Sequence, residues 1–214
     1  MYQPPHFRET DRERQHGLMR THPLGLLVTA RNGEILANSI PFVLDETGAE
    51  GRGILRGHLA RPNPQWRACV EGCDALVVFQ GPEHYVSPSW YATKQETHRV
   101  VPTWNYAVVQ ARGRALAIED PAWLHAQIRA LTTMMEGGRP EPWAVDDAPS
   151  EFLEGQVRGI VGLEIPIDSV EGKWKASQNR NEADRAGVVE GLGTLGTEAA
   201  AAMAAMVARG RTDG

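Results

Sequence analysis

Cysteine is almost missing from this chain: Cys69 and Cys73 are its only two. Four residues apart on an expected helix, they supply at most half a metal site. They read as reduced, half-buried thiols. Long apolar runs are missing as well. The opening Met1-Tyr2-Gln3-Pro4-Pro5 has no apolar signal core, and no stretch reaches the length of a bilayer span. The sequence therefore reads as cytoplasmic, with no membrane partner. Positive charge is in short supply: 22 Lys and Arg stand against 27 Asp and Glu, a net charge of -5. That balance excludes a general polyanion-binding surface. With no helix-turn-helix pattern and no basic recognition helix, it argues against direct DNA binding. Walker loop, Rossmann glycine fingerprint, HExxH helix and nucleophile–base–acid set are all absent, as are internal repeats and interdomain linkers.

The 214 residues, 42% of them hydrophobic, are enough for one well-buried core, with room for a second small lobe. Thr10 and Glu13 have the spacing of a capping box for a helix over 11–20, which Pro23 stops. Leu24 to Thr29 and Ile35 to Leu44 read as a hairpin joined by the Asn32-Gly33 turn signal. Gly48, Gly51 and Gly53 loosen the next loop, and Ile54 to Ala60 returns as a third strand. Asn63 and Pro64 have the order of a helix cap and first turn. Ala75 to Phe79 is an unbroken apolar run, expected as a strand buried on both faces. Tyr106 to Ile118 is a long strand with Gly113 as a bend. Asp120-Pro121 starts a helix whose Leu124, Ile128, Leu131 and Met135 share one face. Pro149 begins another, Ile160 to Ile167 is a last strand, and Thr197 to Arg209 is an alanine-rich helix whose Met203 and Met206 mark a packing stripe. Strands with few helices between them favour an antiparallel, mainly β barrel with peripheral helices. The expected organisation is a single domain over 1–214 with a C-terminal helical extension at about 179–210.

Three stretches concentrate ligand-type side chains. Gly81 to Tyr106 brings rings, hydroxyls and prolines together at strand ends, which suits a flat ligand with polar edges. Trp90, Tyr91 and Trp104 read equally well as ordinary core or interface aromatics. In His58 to Trp66, Arg61 beside a capped helix start has the chemistry of a phosphate clamp, or is a solvated charge while Asn63 merely caps. In Gly172 to Arg180, two lysines flank Trp174. A solvated turn explains the lysines but not the tryptophan.

Four strings stand in order along the chain: GHLARPNPQW, GPEHYVSPSWY, VVPTWNY and GKWKASQN. In them the sequence resembles the PaiB family of FMN-binding negative transcriptional regulators, from Met1 to about Leu192. The resemblance implies an FMN-binding split β-barrel, usually a homodimer with flavin at the subunit interface. It places His58, Arg61 and Asn63 near the flavin phosphate and ribityl chain. Ser87, Ser89 and Lys94 add polar contacts, and Thr103, Trp104 and Asn105 border the ring system. Trp174, Lys175 and Gln178 reach in from the partner subunit. A flavin phosphate carries about -1.5 to -2 charge, for which Arg61, Lys94, Lys173 and Lys175 are the candidate cations. Catalytic residues are not identified. His58 and His84 would be acid–base groups or haem ligands in such a barrel, although lone histidines are more often structural. One departure is Ser39, where relatives usually carry histidine. Two functions follow as expectations: a flavin-dependent regulatory protein, or a flavin-dependent oxidoreductase or flavin reductase acting on a small molecule.

Overall fold

The computed structural model describes residues 1–31, 33–47 and 51–210. Asn32 of the expected turn and Gly48 of the expected loop lie outside them. The strands are β1 (Arg8–Glu9), β2 (Leu24–Arg31), β3 (Glu34–Pro41), β4 (Val43–Asp45), β5 (Ile54–Ala60), β6 (Cys73–Val86), β7 (Thr103–Ile118) and β8 (Ile160–Lys175). The helices are α1 (Arg12–Thr21), α2 (Ala92–Thr97), α3 (Pro121–Glu136), α4 (Ser150–Arg158), α5 (Glu182–Gly193) and α6 (Glu198–Arg209). The strands form an eight-stranded antiparallel sheet in the order β3-β2-β6-β7-β8-β5-β4, with β1 beside β8, and the order does not close on itself. This is the expected mainly β class with peripheral helices. By contact density the chain divides into two compact units, one of Met1–Asp11, Gln80–Val109 and Glu171–Gly214, the other of Arg12–Phe79 and Gln110–Val170.

The second unit is built on strand alternation. In β5, Leu55, Gly57 and Leu59 are buried while Ile54, Arg56 and His58 are half-buried. Antiparallel pairing sets β5 against Val161, Leu163 and Ile165 of β8, all inward. Phe42 and Phe79 meet edge to face with centroids 6.0 Å apart. In β6, Ala75, Val77 and Phe79 are buried but Leu76 and Val78 are half-exposed. The run is therefore a one-faced strand, not one buried on both sides. Asp120 caps α3 through the Trp123 amide at 2.7 Å, and the Trp123 ring fills the space where Gly162 would carry a Cβ.

Two strands run past their expected ends, β6 beyond Phe79 and β8 beyond Ile167. Proline removes a ladder donor. Yet β6 passes through Pro82 to Val86, and β8 passes through Pro166 to Lys175. Pro166 pairs with Ile54, the first residue of β5 and one end of that ladder, so its missing amide costs little there. The cysteines also differ from expectation. Cys69 ends a short 3-10 turn (Pro64–Cys69) and Cys73 opens β6, so no helix carries both. They are buried and joined as a disulfide, with Cα atoms 4.7 Å apart, where reduced half-buried thiols were expected.

The first unit has its own core of Val86, Tyr91, Ala176, Val188, Leu192, Ala200, Met203 and Val207. Asn181 caps α5 and Thr197 caps α6, each accepting from the amide three residues on. α5 was not foreseen as a separate helix, because its alternating charges and glycines hide its apolar side. Two of those glycines are what let it dock. A Cβ on Gly187 would fall 2.0 Å from the Trp90 carbonyl oxygen, and one on Gly191 would fall 2.4 Å from the Trp90 ring.

Candidate functional site

Within the first unit, β8 ends and β7 begins with polar side chains in contact. Lys175 Nζ donates to Thr103 Oγ1. Asn105 Nδ2 donates to Ser177 Oγ at 2.9 Å, both residues buried. Asn105 Oδ1 is also buried and has no partner. The turn after β8 is held by Gln178, whose Nε2 donates to the Trp174 carbonyl at 2.6 Å and whose Oε1 accepts from the Ala176 amide at 2.7 Å. Ser177 sits in the left-handed region at φ 61°, a conformation this staple supports. Gln178 thus shapes the turn, and Trp174 beneath it is buried.

Cationic groups gather at the same place. Lys173 is only 8% exposed, and its ammonium lies 5.3 Å from the Tyr106 ring centroid and 5.6 Å from that of Tyr2. Arg180 stacks 4.5 Å from the centroid of Tyr91. Burial lowers the pKa of Lys175 below its ordinary value; Tyr106 opposes the shift, and the neighbouring Lys173 and Arg180 add to it. Among the described residues, none of these three cations has a carboxylate within ion-pair distance. Tyr91 is buried with its hydroxyl unpartnered, and burial raises its pKa against the pull of Arg180. The acid nearby, Asp184, gives its two oxygens to the amide and hydroxyl of Thr93, each at 2.9 Å.

The other expected residues of this unit lie on two features. Ser87 Oγ accepts from the Ser89 amide, capping the turn Pro88–Trp90, and Lys94 Nζ donates to Ser89 Oγ at 3.2 Å. Trp104 is 52% exposed and meets Tyr85, 41% exposed, edge to face at 6.1 Å. An aromatic pair left in solvent at a strand end offers apolar surface to a flat molecule.

His58, Arg61 and Asn63 belong to the second unit. Asn63 caps the Pro64 turn through the Gln65 amide at 3.0 Å, as expected. Arg61 is occupied: its guanidinium donates to Glu119 Oε2 at 2.6 Å, the Arg158 carbonyl at 2.9 Å and the Ile160 carbonyl at 3.1 Å. With its side chain 39% exposed, it ties the turn to its surroundings. His58 stands opposite Gly162, on the sheet face that Trp123 covers. Its Nδ1 is buried without a partner, and burial lowers its pKa. Ser39 is exposed on β3, opposite Leu26.

The structure thus brings together Thr103, Asn105, Trp174, Lys175 and Gln178 within one unit, and Ser87, Ser89 and Lys94 on a second feature of it. Arg180, Ser177, Tyr91 and Tyr106 were not singled out as site residues from sequence. Each lies within or at the end of a motif string, and that was the only signal available.

Residues 1–169 match the family described as "Putative FMN-binding domain". The protease synthase and sporulation protein PAI 2 of Bacillus subtilis is 35% identical over 193 residues, 90% of this chain and 89% of that one. This chain belongs to the PaiB family of FMN-binding proteins. The uncharacterized protein AN0679 of Emericella nidulans is 40% identical over 224 residues, covering 89% of each chain. Among solved structures, the FAD and heme binding protein of Mycobacterium smegmatis matches with a TM-score of 0.58 at 22% identity, over 78% of this chain and 73% of that one. That likeness is one of fold, the flavin-binding split barrel. FMN is accordingly the cofactor of this PaiB-family chain, as the sequence strings implied. The residues present fit it: the Lys94 ammonium beside the Ser87 and Ser89 hydroxyls suits a phosphate end, and the orphaned Asn105 Oδ1 suits a polar ring edge that donates to it. Among the described residues no helix is long and apolar enough to cross a membrane.

Proposed function

We propose that this protein is a cytoplasmic homodimer in which bound FMN serves a regulatory role, acting on expression without a recognition helix of its own. The observation carrying the reading is the convergence of Thr103, Asn105, Lys175 and Ser177, with an unsatisfied buried acceptor at its centre. Thr103, Trp104 and Asn105 border the ring, and Ser87, Ser89 and Lys94 offer hydroxyl and ammonium donors to the phosphate end. The family resemblance also assigns His58, Arg61 and Asn63 to the phosphate and ribityl chain, with Arg61 acting chiefly by positioning the 61–63 turn. Trp174, Lys175 and Gln178 form the turn that closes the pocket wall, contributed to the partner's flavin as well as to their own contacts. When bound, FMN supplies one- or two-electron redox chemistry; the chain's own residues bind it, orient it and exclude water.

A second reading, a flavin reductase or flavin-dependent oxidoreductase, is favoured by the exposed Tyr85–Trp104 pair, which leaves room for a second flat molecule. The visible absorption of the purified protein and an FMN titration test the flavin site. Asn105→Ala and Lys94→Ala are each expected to weaken FMN binding by about 1.5–3 kcal/mol, the range for hydrogen bonds to charged or buried polar partners. Wild-type affinity in both variants would reject the assignment. Flavin-dependent oxidation of a nicotinamide cofactor would favour the reductase. DNA binding is expected no tighter than about micromolar, the non-specific range; tighter, operator-specific binding would make the regulation direct.

A further inference from the structure

We infer that the cluster of Lys173, Lys175 and Arg180 is a binding site for an anionic small molecule, a carboxylate or phosphate, taken up beside the flavin and distinct from the flavin's own phosphate. The inference rests on the flavin reading above and names the class of ligand that reading lacks.

Three cations occupy one end of β8 and the turn that follows, in a chain whose net charge is -5. A protein with excess acid has carboxylates to spare, yet none pairs with these three among the described residues. Several other cations of the chain do have acid partners: Arg56 with Asp45 and Glu164, Arg61 with Glu119, Arg129 with Asp146. Lys173 is buried between two aromatic rings, a setting that tolerates an ammonium but does not neutralise it. The Tyr91 ring, 2% exposed, lies beneath the Arg180 guanidinium and holds it at the cluster. A buried ammonium without a counter-charge costs free energy, and a ligand bearing negative charge relieves that cost at Lys173.

On the flavin placement proposed above, the cluster lies beside the ring and not at the phosphate. Lys175 touches Thr103 and Ser177 touches Asn105, and these two β7 residues are the ones assigned to the ring rather than the phosphate. Even a flavin phosphate placed here would carry only about -1.5 to -2 and leave cationic charge over.

The test uses FMN-loaded protein titrated with benzoate, a flat carboxylate, and with benzamide, its neutral counterpart, reading the flavin absorption spectrum. Saturable perturbation by benzoate, at least tenfold weaker for benzamide, is expected. Arg180→Gln and Lys173→Gln should each weaken benzoate at least tenfold. Arg180→Gln should do so with FMN affinity unchanged and an unaltered circular dichroism spectrum. Equal response to benzoate and benzamide, or no response to either, overturns the proposal. So does loss of FMN in Arg180→Gln, which would make the cluster the flavin's phosphate site. If the wild type takes up no FMN, the flavin reading fails by itself. Calorimetry with inorganic phosphate on the flavin-free protein then decides the anion site: binding abolished in both variants supports it, and no binding rejects it.

Discussion

An imidazole shut away from water holds its proton less tightly, and His58 is the residue where this matters most. Its Nδ1 is buried without a partner, and burial alone lowers its pKa below the usual 6.5. As pH falls through about 6.5 the unfolded chain takes up the proton first, so the unfolded state gains and stability declines. The contribution is complete above that value and is lost as pH falls, at no more than about 1.4 kcal/mol per pH unit, until the folded form also protonates. Urea unfolding between about pH 7.5 and about pH 5 should therefore show a shallower pH dependence for His58→Asn than for wild type. Identical slopes would mean that the histidine is not held neutral by its burial. The same scale explains Arg61. From sequence it read as a clamp or a solvated charge; the fold gives its donors to Glu119 and two carbonyls from residues 158 and 160, about a hundred positions away, which no local pattern announces.

Elements in this protein are placed by where side chains are missing as much as by where they are present. Helix α5 lies against the Trp90 turn because Gly187 and Gly191 leave room for its carbonyl and ring. Gly187→Ala would put a methyl group 2.0 Å from a carbonyl oxygen, and is expected to destabilise the protein by about 1–3 kcal/mol as the helix is pushed off its seat. Gly17 in α1 is the contrasting case, with nothing within 4 Å of its Cβ position and an ordinary helical backbone. Gly17→Ala should stabilise by about 0.4–1 kcal/mol through the unfolded chain. Paired denaturant titrations check both, and a neutral Gly187→Ala would show that the α5 contact is not tight.

At the scale of the whole molecule, the two segments richest in ligand-type residues fall in different compact units, 58–63 in one and 172–178 in the other. A twofold dimer would let each protomer supply one segment to each of two equivalent sites. Arg61→Ala and Trp174→Ala homodimers are expected to bind FMN poorly. Refolded together, they should form mixed dimers with one intact and one doubly impaired site, recovering partial flavin stoichiometry at near-wild-type affinity. Recovery no better than either variant alone, with subunit exchange confirmed, would reject the shared site, as would a monomer by sedimentation.

Sequence alone determined what depends on neighbours a few residues apart. The Asn63 cap, the helix start at Asp120-Pro121, the third strand over Ile54–Ala60 and the Met203 packing stripe follow from local spacing, and the family resemblance carried by the four strings implied the cofactor. Tertiary structure decided the rest. Whether Pro82 and Pro166 end a strand depends on whether a partner awaits the missing amide, and that partner is remote in the chain. Cys69 and Cys73 meet because a 3-10 turn and a strand start bring them together, not because a helix presents them side by side. Asn105 was already placed by the family resemblance, while Arg180 and Tyr91 are ordinary residues in the sequence. They become a candidate site because β7, β8 and the turn before α2 converge, leaving charge and polar atoms that only distant contacts could have satisfied and did not.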